Sequence, residues 1–388
     1  MARRLFLVLL LVFTGTGCAR KSRLRERAER QAAADKNRVS SITDVGLKVI
    51  FFDLGQADAM LVLYQGKTLL FDAGESREAE DSNRYHVIAQ TLQELTGKKH
   101  LDYFVLSHYH RDHVGKSTEG TGLWGVLDDG VTIDTVHDRG DVVFSDNAKT
   151  DVHEDWLRAM PGWLSSGKVK SHIALKLGDK IDLGPGLDVT VVAVNGNGMF
   201  EKLMADKPED LSIWPASEND FSVALKLTYG DFELFTGGDL TGATVHKDYK
   251  GNKEGYHDVE SSIAGKVGDV EIYRVNHHGS QYSSNGCFIK TLRPEVSIVS
   301  SGANNYGHPH GKVYDPLMDI GRVYITGGAD DKVKDHVLRS IVGDDIVVTV
   351  EANGGKRFSV NNRDYKSKTD AEEEALPGRV AGCETAPW

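Results

Sequence analysis

The sequence predicts an α/β protein, and three observations carry that prediction. First, short apolar runs alternate with tight turns: LKVIFF, then AMLVLY, then KTLLFDAG after a Gln65-Gly66 turn, the pattern of antiparallel strands at a sheet edge. Second, HVIAQTLQELTG has helical spacing and ends in Gly97, a residue type suited to stopping a helix. Third, LDYFVLS is a continuous apolar run, as expected of a strand buried on both faces. The chain has 388 residues, 40% hydrophobic and 27% charged, enough to bury a sizeable core as one large domain or two small ones. Its 41 glycines against 9 prolines fit many turns between short strands. No internal repeat points to a solenoid or propeller.

The amino terminus is set aside before the fold is argued. MARRLFLVLLLVFTGTGC has two arginines, an apolar run from Leu5 to Phe13 and small residues ending at Cys18, the features of an export signal. The run falls short of the roughly 20 residues a membrane-spanning helix needs. Small residues before a cysteine resemble the lipobox of bacterial lipoproteins, with Gly15 in the place of the usual leucine. The expectation is a signal peptide over residues 1–17 and a lipid anchor at Cys18, on the periplasmic or extracellular face of a membrane. Residues 18–44 lack large apolar residues at a core-forming period and read as a charged tether. The folded domain is expected over residues 45–365, and residues 366–388 as a polar, disordered tail. The remaining cysteines, Cys287 and Cys383, lie far apart and imply no disulfide framework, although a single bridge between them is open.

Formal charge is −11, and removal of Arg3 and Arg4 with a leader makes the chain more acidic still. That balance argues against a stable complex with nucleic acid, which relies on Lys and Arg to neutralise phosphates. It leaves a small phosphorylated substrate open.

The chemistry concentrates in LSHYHRDHVG, on the loop just past LDYFVLS, where α/β folds place functional groups. His108, His110, Asp112 and His113 put four ligand-type side chains into six positions. Imidazole and carboxylate suit zinc, and manganese or iron also accept them. Alternate spacing puts His108 and His110 on one side of an extended segment, while Asp112 and His113, where the chain turns, can face a second ion. Asp239 follows the apolar strand FELFT and two glycines, which let the backbone bring a carboxylate close to a pair of dications. Its alternative is a cap for a helix starting at Thr241.

This stretch resembles the HxHxDH signature of the metallo-β-lactamase superfamily. In order along the chain, FFDLGQADAMLV, Asp72 in LLFDAG, NDFSVALKL from Asn219 to Leu227, FTGGDL with Asp239, VNHHGS with His277 and His278, and SGANNYGHPH are similar to the hydrolase domain of ComEC-type competence proteins and its secreted relatives. The resemblance implies a four-layer αββα sandwich with a metal site at one edge of the paired sheets. It implies two divalent ions, zinc first and manganese as the alternative. His108 and His110 would hold one, Asp112 and His113 the other, and Asp239 would bridge them. One of His277 and His278 would ligate the second ion and its neighbour would support it or face substrate. Strand alternation sends the two to opposite faces. The superfamily's usual third histidine falls at Glu218, with Asn219 beside it, so the first ion would be held more weakly, or by an oxygen ligand from one of them that favours a harder ion such as manganese. His137, His153 and His172 lie in strand-like or charged segments without ligand spacing. His308, in YGHPH, is a candidate for substrate contact or proton transfer, against a plain turn fixed by Pro309.

Two dications sharing a water would generate a hydroxide and polarise the scissile group. Asp112 would take part as a ligand, and a protonated His277, His278 or His308 would assist the leaving group. No GxSxG elbow accompanies the site. Three functions compete: a phosphodiesterase acting on small-molecule or nucleic-acid substrates, which is favoured; a hydrolase of an ester, lactone or lactam; and a lipid-anchored binding module without turnover.

Overall fold

The computed structural model describes residues 39–75, 84–141, 150–198, 217–249, 252–302, 304–327, 345–375, 380 and 382–383. The expected leader, the Cys18 anchor and most of the tether lie outside these residues. Among them, no helix is long and apolar enough to cross a membrane.

The strands in chain order are β1 (Val45–Phe51), β2 (Met60–Tyr64), β3 (Lys67–Phe71), β4 (His100–Val105), β5 (Thr132–Asp138) and β6 (Val169–Ala174), followed by β7 (Asp188–Ala193), β8 (Ala224–Tyr229) and β9 (Phe232–Thr236). A hairpin of β10 (Val245–Tyr249) and β11 (Asn252–Tyr256) precedes β12 (Ile272–Arg274), β13 (Val296–Val299) and β14 (Arg322–Ile325). The chain closes with β15 (Ile346–Glu351), β16 (Arg357–Val360) and β17 (Arg363–Lys366). One sheet has the order β17-β16-β15-β1-β2-β3-β4-β5-β6 and the other β14-β13-β12-β9-β8-β7.

The hairpin of β2 and β3 turns through Gln65 and Gly66, both at positive φ, as a two-residue hairpin requires. Its strands are antiparallel as the sequence suggests, but they do not form a sheet edge. β15 pairs antiparallel with β1, Val49 facing Val348, so the return of a remote segment buries the first hairpin inside the sheet. From β3 onward the pairing becomes parallel through β4, β5 and β6. In the second sheet β9, β12, β13 and β14 are likewise parallel. The carboxyl ends of these strands carry the loops that build the site.

The helices are α1 (His86–Thr96), α2 (Arg111–Val114), α3 (Leu123–Asp128), α4 (Asp151–Ser166), α5 (Val259–Val267), α6 (Gly286–Leu292), α7 (Gly311–Ile320) and α8 (Asp370–Glu374). α1 buries Ile88, Ala89 and Leu92 along one stripe and stops at left-handed Gly97, as its spacing predicts. Three apolar cores stack between four layers. Leu47, Val49, Val62 and Leu69 meet Val191, Leu225, Leu227 and Leu234 between the sheets. Ile88, Leu92, Trp124 and Trp156 cover the outer face of the first sheet, where Phe104 and Ile133 are buried. Ile263, Phe288 and Leu317 cover Phe235 and Tyr273 on the second. This is an αββα sandwich.

The described part of the tail departs from the disorder expected of it. Its polar residues form the short α8, and Cys383 is joined to Cys287 of α6 by a disulfide with a Cα–Cα distance of 5.8 Å. A covalent tie to a packed helix supplies what the tail's composition lacks.

Glu271, entering β12, is buried and accepts backbone N–H bonds from Glu233 at 2.7 Å and Lys368 at 3.1 Å. Burial pushes its carboxyl up to about 8. The folded chain therefore keeps a proton that the unfolded chain releases at ordinary carboxylate pH. Its contribution to stability is fully present below that ordinary value and is lost as pH rises through about 8. Glu271→Gln, which mimics the protonated acid, should gain stability relative to wild type between about pH 5 and about pH 8. Denaturant titrations at the two pH values check this, and a constant difference would remove Glu271 as the cause.

Candidate metal centre

Five strand ends converge on one pocket. After β3, Asp72 sits at φ 61°, a left-handed conformation that costs a non-glycine residue roughly 1–3 kcal/mol. After β4 comes the histidine-rich loop, in which His110 is still extended and α2 begins at Arg111, so Asp112 and His113 lie on a single helical turn. Gly74 lets that turn approach, since a Cβ there would stand 1.8 Å from the Asp112 carbonyl oxygen. After β9, Gly238 takes φ 54° and delivers Asp239. No helix starts at Thr241; the chain runs on to β10, which removes the capping alternative for Asp239. After β12 come Asn276, His277 and His278, and after β13 the loop that carries His308.

Asp239 is the centre of the arrangement. Its Oδ1 lies 3.1 Å from Nε2 of His113 and 3.6 Å from Nε2 of His278. Its Oδ2 lies 4.0 Å from Nε2 of His108 and 3.6 Å from Nε2 of His277. His110 Nδ1 stands 2.9 Å from His108 Nε2, and Asp112 Oδ2 stands 3.3 Å from His278 Nε2. One carboxylate oxygen thus faces each of two donor sets. His113 Nε2, His278 Nε2 and Asp239 Oδ1 are buried and make no hydrogen bond. Unsatisfied buried lone pairs are costly, and a divalent cation is the group that would satisfy three of them at once. The residues fit a metal site.

Each imidazole is held from behind. His113 gives its Nδ1 edge to Asp72 Oδ2 at 2.8 Å, His278 to the Ser300 carbonyl at 2.7 Å, and His108 to Ser107 Oγ at 3.0 Å. Asp72 also accepts from the Ser107 amide and hydroxyl. With Nδ1 as the donor, Nε2 of His113 and His278 is left bare toward Asp239 and that of His108 faces His110 Nδ1, the arrangement that orients metal-bound histidines. Asp58 lies within ligand distance of this group, but its carboxylate faces the Nδ1 edges, at 3.5 Å from His113 and 3.7 Å from His278. The Arg274 guanidinium is paired with it. Asp58 is therefore on the wrong side of the rings to be a ligand.

A HxHxDH turn past a parallel strand, an aspartate past the next sheet's central strand and a histidine past its neighbour, all at one edge of an αββα sandwich, decide the fold. The chain has the metallo-β-lactamase fold. No family model matches the chain. Among curated proteins it is similar to competence protein ComA of Neisseria gonorrhoeae, 27% identical over 271 residues, 67% of this chain and 28% of that protein. It is also similar to ComE operon protein 3 of Bacillus subtilis, 34% identical over 120 residues, 31% of this chain and 13% of that protein. The chain thus spans less than a third of the length of these relatives. Among solved structures, zinc-bound PqqB from Methylobacterium extorquens aligns over 72% of this chain and 97% of its own at 13% identity with a TM-score of 0.43. The metallo-β-lactamase fold protein YhfI from Bacillus subtilis aligns over 72% and 96% at 12% identity with a TM-score of 0.41.

Within this metallo-β-lactamase fold the two candidates for the usual third histidine separate. Glu218 is buried and forms a two-point ion pair with Arg139, 2.8 Å at both Nε and Nη2, and accepts from the Tyr109 amide at 2.9 Å. Its oxygens are used in bracing the segment between His108 and His110, so Glu218 is not available as a ligand. Asn219 lines the pocket with Nδ2 3.2 Å from His277 Nε2, and its buried Oδ1 makes no hydrogen bond. The alternation argument for His277 and His278 also fails. Both lie beyond the strand at φ 51°, and two successive left-handed residues turn both rings into the pocket. His278 is the one that faces Asp112 and Asp239 Oδ1; His277 lies on the Oδ2 side with Asn219.

His137, His153 and His172 lie apart from the pocket lining. His137 meets the Ile173 carbonyl, His172 meets Asp138 at 2.7 Å, and His153 stacks on Tyr109. His308 lines the pocket, with ring centroids 5.5 Å from His277. Burial lowers the ring pKa of His108 and His308 well below the ordinary value, and that of His277 to about 4. Burial alone would raise Asp239 and Asp112, but the surrounding histidines outweigh it and hold both carboxyls below their usual range. His113 goes the other way: burial would lower it, but Asp239 and Asp72 hold it well above the ordinary value, so a cation bound at its Nε2 would displace a proton.

Sequence reasoning gave Asp72 no role and missed Asp58, Arg274, Arg139 and Ser300 as supports. Local spacing cannot reveal them, because each meets its partner from another strand end, 22 to 216 residues away in the chain. The Glu218 assignment has a direct test. Glu218→His would leave Arg139 buried without its carboxylate and should cost about 3–5 kcal/mol, whereas Asn219→His should cost far less. Urea unfolding measures both; a Glu218→His protein as stable as wild type would show that the ion pair does not brace the loop.

Proposed function

We propose that the protein is a binuclear metal-dependent hydrolase acting on phosphodiesters. The observation that carries the proposal is the division of Asp239, with one oxygen toward His113 and His278 and the other toward His108 and His277. On this reading His108, His110 and Asp239 hold one ion and Asp112, His113, His278 and Asp239 hold the other. Zinc or manganese bound there would make water nucleophilic at neutral pH and supply positive charge to the scissile group. The protein's part is to fix these donors through Asp72, Ser107 and Ser300, and to close the floor of the site from water. Asn219, His277 and His308 face the opening and are the groups that would meet substrate.

The choice of phosphodiesters over carboxylic acyl substrates draws support from relatives named for competence. Formal charge of −11 favours small or transiently bound substrates over a stable nucleic-acid complex. The proposal includes export and anchoring through Cys18. Palmitate should label the wild type in cells and fail to label Cys18→Ser.

The decisive assay pairs metal content with turnover. Elemental analysis should find two ions per chain, and Asp239→Asn should lose both ions and activity. Asp72→Asn, which leaves every ligand in place, should weaken metal affinity by about 10–100-fold. Bis-p-nitrophenyl phosphate and linear DNA should be cleaved in preference to a lactone or a cephalosporin, with zinc or with manganese. A fully loaded protein that cleaves only the acyl substrates would reverse the choice, and one that binds no metal would end it.

A further inference from the structure

Gln56 and His308 are 252 residues apart in the chain and meet in the pocket that contains Asp112, Asp239 and His277. Gln56 Nε2 lies 3.3 Å from His308 Nδ1, and Gln56 Oε1 lies 2.9 Å from Ser301 Oγ. Counting hydrogens along this chain fixes its direction. Asn304 Oδ1 accepts from the amides of Tyr306, Gly307 and His308 at 3.1, 2.8 and 3.0 Å, so its amino group faces the other way. That amino group donates to the carbonyls of Gly302 at 2.9 Å and His308 at 2.8 Å.

The single hydroxyl hydrogen of Ser301 goes to the nearer acceptor, Gln56 Oε1 at 2.9 Å, and not to the His308 carbonyl at 3.3 Å, which already accepts from Asn304. The amide oxygen of Gln56 is then taken, and the group it turns to His308 is an amino group, which only donates. His308 Nδ1 must accept. It carries no hydrogen, and the ring's one hydrogen is on Nε2.

We propose that Gln56 holds His308 as the neutral Nε2–H tautomer, so that His308 serves the site as a hydrogen-bond donor to an anionic oxygen of the substrate. Of the two roles the sequence leaves open for His308, this is substrate contact and not proton transfer. A neutral imidazole N–H holds its proton too tightly to act as an acid near neutral pH, but it can stabilise charge that grows on an oxygen in the transition state. That the oxygen belongs to a phosphoryl group rests on the phosphodiesterase reading; the tautomer does not. Gln56 is a positioning residue in this scheme, and the whole relay from Asn304 through Ser301 exists to point its amide.

The test is proton-coupled nitrogen spectroscopy of the full-length, zinc-loaded protein labelled in histidine, with the His308 signals identified by their loss in His308→Gln. The expected spectrum has hydrogen on Nε2 of His308. Gln56→Glu, which offers an acceptor to Nδ1, should move the hydrogen to Nδ1 and lower kcat on bis-p-nitrophenyl phosphate on the order of 10²-fold, with a much smaller change in KM. His308→Gln, whose side-chain N–H can reach the place of Nε2, should turn over at least about tenfold faster than His308→Ala. Hydrogen on Nδ1 in the wild type overturns the proposal, as does equal turnover of the Gln and Ala variants. If the wild type cleaves no phosphodiester, that reading fails while the nitrogen spectrum still decides the tautomer, and the wild-type spectrum decides it even if Gln56→Glu does not fold.

Discussion

A carboxylate set among four imidazoles is the constraint from which the rest of this site follows. Asp239 is buried, and its Oδ1 makes no hydrogen bond. Burying an ionised carboxylate without compensation is costly enough that the group would normally take up a proton. Here the histidines hold it ionised, and three of them, His108, His113 and His278, are themselves fixed from behind. Asp72 and the Ser300 carbonyl turn His113 and His278. Arg274 offsets the charge of Asp58, so that the second carboxylate behind the rings does not add to the negative charge in front of them. Removing any one of these supports leaves a buried charge or lone pair uncompensated.

The backbone meets this constraint by accepting strain where the strands end. Asp72, His277 and His278 all lie at positive φ, at roughly 1–3 kcal/mol each. Three such residues in one pocket persist because the layers on either side over-determine them. Asp72 is locked by Ser107 and His113. The 276–278 turn is locked from below, where buried Glu260 accepts from Asn276 Nδ2 and from the amides of Ser284 and Asn285. Glycine does the remaining work of approach. A Cβ at Gly237 would stand 2.6 Å from Asn276 Oδ1, and one at Gly238 would stand 2.5 Å from the Ser107 side chain.

How much of this could be read from the residues divides along local and remote lines. The helix 86–96, the Gln65-Gly66 turn and the strand that precedes the histidine loop are set by spacing and turn chemistry within a few residues, and they are where the sequence puts them. The close packing of four ligand-type residues is legible for the same reason. What escaped depends on contacts between distant segments. The first hairpin reads as a sheet edge because nothing near it announces that residues 346–351 will pair beside it. Glu218 reads as a ligand because its position in the motif is right, while its actual partner, Arg139, lies 79 residues away. The pair at 277 and 278 misled in another way: a rule for extended strands was applied to a turn whose two left-handed residues break the alternation.

The two sides of Asp239 are not equivalent, and the difference bears on how the proposed centre would work. On the Oδ1 side, His113 and His278 are fully buried and tied to protein acceptors. On the Oδ2 side, His110, His277 and Asn219 line the pocket, and Glu218 stands where the fold's usual third histidine would be. With Glu218 committed to Arg139, that side offers an ion the imidazoles of His108 and His110, as the other offers His113 and His278, but it has no counterpart to the Asp112 carboxylate. An ion held there would keep open positions for water and for a substrate oxygen, while an ion on the buried side would be enclosed by protein donors. The exchange of one histidine for Glu218, with Asn219 beside it, therefore need not be read as a damaged site. It divides the labour, with a closed half that fixes Asp239 and an open half, walled by His277 and by a His308 oriented through Gln56, at which a substrate can arrive.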